Sequence, residues 1–421
     1  MNKLNGGSLF YALAVSIIIG MLTGSVVLAQ YYHRCILHTN AIHEEVMRNA
    51  ESGVIYFCTE DPEEFRDKAE VDLFGRGEDS VLLQRMSWGV YNVCFSTAHT
   101  GNITSERIAM TGSICGESDQ FALWLADMDR PLSVTGATEL NGKCYLPKAG
   151  IERAYIEGKS YSGRELVHGL IEPSSRFLMM YDVERMKEIT DLFAAAVPEN
   201  DSMISWNELS GDAVVEQSFS GKKLLITSDS PIHLTGQHLS GQIMLRSAIS
   251  ITVDKETFLK NIILVAPRIE IENGTHGCFQ AFARDSLIVG SDVDLEYPAV
   301  LGIVPVNGAI EKPAIVIGKN SRVCGELFLD CETDGINRQG SIVVREETQV
   351  EGAINCYGWI DLKGKVFGSL STQKLVLRTH SAVYENHLMD AVIDCSKRSE
   401  FWLGSLLFNK SGTSHVIQWL N

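Results

Sequence analysis

Short apolar triplets recur through the second half of this 421-residue chain, and they restrict its fold more than any other feature. They are Ile232-His233-Leu234, Ile251-Thr252-Val253, Ile269-Glu270-Ile271, Leu287-Ile288-Val289, Ile315-Val316-Ile317, Ile342-Val343-Val344, Ile360-Asp361-Leu362 and Leu375-Val376-Leu377, with spacings of 19, 18, 18, 28, 27, 18 and 15. A step of about 18, lengthened twice, predicts a parallel β-solenoid whose longer coils extrude loops. A second strand per coil recurs in phase: Leu239-Ser240-Gly241-Gln242-Ile243, Val323-Cys324-Gly325-Glu326-Leu327, Val350-Glu351-Gly352-Ala353-Ile354 and Val366-Phe367-Gly368-Ser369-Leu370. In each, glycine permits a bend or a close backbone approach at a corner.

The N-terminus carries an uncharged run from Leu9 to Ala29, whose 21 residues rise about 31 Å as a helix, the thickness of a bilayer core. This predicts a transmembrane helix over 9–29, in contact with lipid, after a short cytoplasmic segment, 1–8. The competing reading is a cleaved secretory signal, because Val27-Leu28-Ala29 before Gln30 resembles a peptidase site. Ile36, Ile42, Val46, Ala50, Val54 and Phe57 continue one helical stripe, so 30–58 reads as an amphipathic continuation of the same helix.

Gly6-Gly7-Ser8, the apolar half, the amphipathic half and the segment Asn49-Ala50-Glu51-Ser52-Gly53-Val54 together resemble the N-terminal spine of type IV pilin-like and pseudopilin-like minor subunits. The resemblance covers about the first 58 residues. It implies cleavage after Gly6 or Gly7 and partners among pilin-like or secretion-system subunits. The chain departs from the major-subunit pattern at Tyr11 or Ala12, where that pattern has a glutamate. Residues 220–395 are similar to bactofilins, polymer-forming proteins with a short β-solenoid.

The remaining organisation reads as a small β-rich domain over 59–130, first solenoid-like strands over 131–172, and a helix over 173–199 with Ser174 or Ser175 as N-cap. The solenoid proper then occupies 218–398, and a C-terminal cap over 399–421 covers its last coil. The expected class is mainly β: a transmembrane helix, a small β-rich domain and a parallel β-solenoid. The expected location is the inner membrane, single-pass, with the C-terminal part outside the cytoplasm.

Chemistry is sparse. With 36 Lys+Arg against 53 Asp+Glu the net charge is -17, which disfavours nucleic acid as a partner. The ten cysteines contain no C-x-x-C pair, and Cys324 and Cys331 are the closest two. Walker A, G-x-G-x-x-G, H-E-x-x-H, G-x-S-x-G and EF-hand patterns are absent from the sequence. Asp292, Asp294 and Glu296, at alternate positions of an extended strand, share one face and suit the grouped carboxylates of a β-helix enzyme acting on polysaccharide. The alternative for them is a solvated face opposite Val293 and Leu295. His276, His380 and His387 are weaker candidates; hexapeptide acyltransferases also combine an 18-residue coil with a histidine, but their strict six-residue pattern is not kept. Asp79-Ser80-Val81, Asp201-Ser202-Met203 and Asp285-Ser286-Leu287 are similar to an O-glycosylation acceptor pattern of exported bacterial proteins. No residue is assigned as catalytic, cofactor-binding or metal-ligating, and no cofactor is expected. The expected function is a non-enzymatic, membrane-anchored envelope protein, with glycan as a further partner class; the alternative is a tethered or secreted β-helix carbohydrate-active enzyme.

Overall fold

The computed structural model describes residues 6–60, 62–75, 80–114, 120–194, 201–209, 213–304, 312–330, 339–408 and 413–420. The protein is mainly β, with one long N-terminal helix, α1 (Gly6–Thr59). Its first half carries bare apolar side chains, with Leu9, Phe10 and Met21 each at least 70% exposed, and it is long and apolar enough to cross a membrane. Its second half docks onto an antiparallel meander of β1 (Ala69–Asp72), β2 (Ser80–Trp88), β3 (Tyr91–Thr100) and β4 (Ile103–Ser113). Val46, Ala50, Val54 and Phe57, spaced at three or four residues, are fully buried among Val81, Leu83, Cys94 and Ala98. Ile36, predicted on the same stripe, is 57% exposed because the sheet does not reach that far along the helix.

The triplets pair in the order in which they occur. Ile232 lies beside Ile251, Ile251 beside Ile269, Ile269 beside Leu287, Leu287 beside Ile315, Ile315 beside Ile342, Ile342 beside Ile360 and Ile360 beside Leu375, all in parallel. The two long steps are those that run from Ile303 to Ala314 and from Leu329 to Ser341. The glycine strands form a second ladder, with Gly325, Gly352 and Gly368 in register. A third runs through Leu224–Ser228, Ile243–Ser247 and the middles of the longer strands. Inward Ile, Leu and Val side chains of all three ladders fill one continuous core.

The spacing predicts an open stack of coils, and here the sheet differs, closing into a largely parallel barrel with additional strands. Closure arises because single strands turn corners and serve several ladders. Phe258–Ile271, for example, pairs with His238–Gly241, Ile243–Ser247 and Ser250–Val253 at successive points along its length.

Residues 121–173 take a place that their sequence position does not suggest. Rather than preceding the repeats, they extend the far end. Leu123–Leu125 pairs with Lys365–Arg378, Glu139–Asn141 with Val392–Asp394, and Leu132–Thr135 with His387–Met389. Cys144–Leu146 and then Ile171–Pro173 continue the third ladder. The chain thus lays down the last turns of its stack before it makes the first, and Leu123, Leu125, Leu132 and Leu140 join the common core, each 0–1% exposed.

After Pro173 the chain returns along the outside of the third ladder. The helix expected over 173–199 is α2 (Val183–Asp191), capped by Asp182, whose Oδ1 accepts from Arg185 N at 2.9 Å. Neither Ser174 nor Ser175 caps it, because Ser174 N donates to Leu146 O and belongs to the sheet. Leu178, Tyr181, Met186 and Ile189 pack with Trp88, Tyr91, Ile108 and Met110 over outward Phe282, Val300 and Phe328, making a second core between the barrel and its cover.

The C-terminal segment, predicted to cover the last coil, instead completes the meander. Ser414–Trp419 pairs antiparallel with β4, and Gly404 exchanges both backbone hydrogen bonds with Ser113. Glu326 fastens this segment to the barrel: it is 2% exposed, and it accepts from Asn355 Nδ2 at 3.0 Å and Ser405 N at 3.2 Å. Burial raises its carboxyl above the ordinary 4.5, against the lowering effect of those donors. The folded state therefore holds this proton more tightly than the unfolded state, and the penalty for losing it grows as pH rises above 4.5 toward the raised value. Thermal melts should show the difference between Glu326→Gln and the parent chain becoming more positive from pH 4.5 to neutrality; a constant difference would contradict this.

Candidate functional site

The three suspected carboxylates do not form one constellation. Asp292 lies in the turn before strand Asp294–Ile303, with φ 58°, and accepts from Asn320 Nδ2 at 2.6 Å. Only Asp294 and Glu296 lie on the strand. The ladder sets His276 beside Asp294 and Asp294 beside Arg322, so two residues suspected from sequence become neighbours. Arg322 dominates the electrostatics there. It donates to both Glu351 carboxylate oxygens, at 2.9 and 3.2 Å, and lies 3.6 Å from Asp294 Oδ1. Hydrogen bonding to Arg322 holds the Glu351 carboxyl below its ordinary value, and the same pairing raises Arg322. This arrangement is an ion-pair ladder on a sheet face. His387 Nδ1 lies 2.7 Å from Glu385 O, while His380 is exposed in a separate turn. Ser202 is exposed, Ser80 donates to Glu70 at 2.6 Å, and Ser286 is half-buried within its strand.

The cysteines behave as packing residues. Burial pushes the Cys144, Cys278 and Cys324 thiols up to about 12, with the nearby Glu351 and Glu296 carboxylates adding to the effect at Cys324 and Cys278 respectively. Cys331, the suggested partner of Cys324, lies outside the described residues. In the native protein at pH 8, iodoacetamide should label exposed Cys35 first and leave these three until unfolding, when mass spectrometry reads all of them. Native labelling of Cys324 at the rate of Cys35 would contradict its burial. Among the described residues no group of three or more His, Cys, Asp or Glu is placed to hold a metal ion.

A groove of mixed apolar, amide and charged lining lies beside the end of the triplet ladder. Its cavity volume is about 450 Å³. Trp359 forms part of its floor, between Ser341 and Lys374 on adjacent strands. The Arg378 guanidinium lies 4.6 Å from the centre of the Trp359 ring. One wall is the antiparallel turn in which Arg378 pairs with Val383 and Val376 with Glu385. Lys312 and Gln339, at the ends of the two lengthened steps, line the groove as well. Glu385 is held by Arg130 at 2.7 Å and lies 3.9 Å from Lys374. A second depression, of about 400 Å³ beside Arg246 and Arg284, is lined by Phe193 and Met203. Its Arg284 is paired with Asp285 through two hydrogen bonds of 2.9 Å.

Sequence inspection missed the Trp359 groove because its residues come from five separated stretches between 312 and 385. The available signal was the pair of lengthened steps, which flank it. No protein-family model, curated protein or solved structure matches the chain.

Proposed function

We propose that this chain is a single-pass membrane protein that carries a β-solenoid outside the cytoplasm and engages polysaccharide along one side of it. The observation that carries the reading is the open groove on an extended parallel sheet, with a half-buried indole in its floor and amide and charged side chains around it. Sugars present apolar ring faces and many hydroxyls, and such a lining complements both. The solenoid reading rests on the register of the triplets, whose 18- and 19-residue steps return the same residue column to the same ladder. The anchor rests on α1, whose first half has membrane length and whose second half is part of the folded core.

The full-length protein in detergent is incubated with a panel of polysaccharides, measuring retention of the polymer and release of new reducing ends. Retention without cleavage identifies a binding protein, whereas cleavage identifies a carbohydrate-active enzyme; an absence of both overturns the reading.

The unbroken course of α1 from Gly6 to Thr59 favours a second reading, a pilin-like or pseudopilin-like subunit processed at its N-terminus. Intact mass and N-terminal sequencing of protein from its native membrane test it. A new terminus at Gly7 or Ser8 supports it, while an intact Met1 or a terminus at Gln30 contradicts it.

Deleting residues 1–34 should convert the membrane-bound chain into a soluble, cooperatively melting one, since the buried face of α1 begins near Ile42. Sedimentation and calorimetry check this; insolubility of the shortened chain would show that other surface drives membrane association.

A further inference from the structure

We propose that the Trp359 groove is specific for an acidic polysaccharide, a chain whose sugar rings carry anionic groups, a specificity that rests on the polysaccharide-engaging reading above. The protein is strongly acidic overall, at -17, yet among the described residues three cations, Lys312, Lys374 and Arg378, line this groove together with one carboxylate, Glu385. That carboxylate is engaged by Arg130 at 2.7 Å, so it offsets the three cations incompletely. A local cationic site on an anionic molecule attracts an anion against the general field, and this selects for ligands with closely spaced charge.

The remaining chemistry selects the sugar. Trp359 supplies a flat apolar surface for a ring face, and Gln339 and Gln373 supply amides for hydroxyls. Arg378, stacked on the indole, holds a planar fork suited to a carboxylate or sulfate. Asp361, two residues beyond Trp359, is 2% exposed, and burial raises its carboxyl above the ordinary value, against the opposing effect of Lys363, Arg345 and Arg378. Lys312 and Gln339, each beside one lengthened step, meet here with the antiparallel turn that ends the triplet ladder. A regular sheet face offers the same contacts at every step, whereas this convergence makes one place unlike the rest.

Affinity electrophoresis of the full-length protein in detergent, through gels containing hyaluronate, heparin or neutral dextran, tests the proposal. Hyaluronate or heparin should retard the protein and dextran should not, the first two arms separating carboxylate from sulfate recognition. Lys312→Gln and Lys374→Gln should each weaken retardation at least fivefold, Trp359→Ala at least tenfold, and 0.5 M salt should act as the lysine changes do. Both lysine changes alter solvent-accessible side chains, and unchanged melting temperatures verify that those variants are folded. Retardation by dextran that is insensitive to the lysine changes would overturn acid specificity while leaving the polysaccharide reading intact. Failure of all three polymers, together with an unreactive panel, would overturn both.

Discussion

Replacing Gly352 with alanine should destabilise the protein by about 3–5 kcal/mol, more than most single substitutions. Gly352 has φ 141°, a region that residues with a Cβ rarely enter, and an added Cβ would lie 2.0 Å from Gly325 O on the adjacent strand. Gly325 and Gly368 face the same obstacle, at 1.8 Å from Ala299 O and from Gly352 O. The three stack in register, so a methyl group at the central one separates two ladder steps that share the hydrophobic core. Gly274→Ala is the matched control. Its φ of 76° is also positive but lies close to the left-handed helical well, and the nearest atom is Lys255 Cβ at 4.0 Å, so about 1 kcal/mol is expected. Urea unfolding of both variants measures the contrast, and equal losses would show that the close approach to Gly325 O adds nothing to the need for glycine.

Glu188→Ala should cost a comparable amount, about 3–5 kcal/mol, through a different mechanism. Glu188 on α2 receives Arg85 of β2 at 2.6 Å and Arg185 at 2.8 Å, and Ser87 Oγ donates to it at 2.8 Å. The two arginine side chains are only 5% and 6% exposed, so removing the carboxylate leaves like charges buried at the joint between the returning segment and the meander. Arg185 keeps its bond to Asn92 Oδ1, at 2.6 Å. Changing Glu188→Leu together with Arg85→Met should recover part of the loss, because it removes one of the two buried cations that the carboxylate served, while Arg185 remains. Thermal melts of the single and paired variants provide the measurement; a loss below 1 kcal/mol in Glu188→Ala would show that water reaches the arginines.

These two predictions concern different kinds of information. The role of Gly352 was legible in the sequence, because Val350-Glu351-Gly352-Ala353-Ile354 repeats Val323-Cys324-Gly325-Glu326-Leu327 and the glycine falls at the same step. The role of Glu188 was not. Nothing in an exposed-looking helical glutamate announces that arginines 103 and 3 residues away converge on it. The candidate site divides in the same way. Asp292, Asp294 and Glu296 have the alternation of a strand face, yet the strand begins only at Asp294 and Arg322 pairs across it. Trp359, Lys374 and Arg378 belong to no motif, and the pairing of the ladders makes them neighbours.

By itself the sequence determined what is periodic: a membrane-length apolar helix with an amphipathic second half, the order and register of the triplet ladder, and the placement of its glycines. Periodicity is local, since side-chain direction follows from residue number once the backbone is helical or extended. The tertiary structure alone decided the closure of the sheet, the position of residues 121–173 beyond Val392–Asp394, and the addition of Ser414–Trp419 to the meander. Each depends on which exposed strand edge a distant segment reaches, and apolar alternation marks a strand for burial without naming its neighbour.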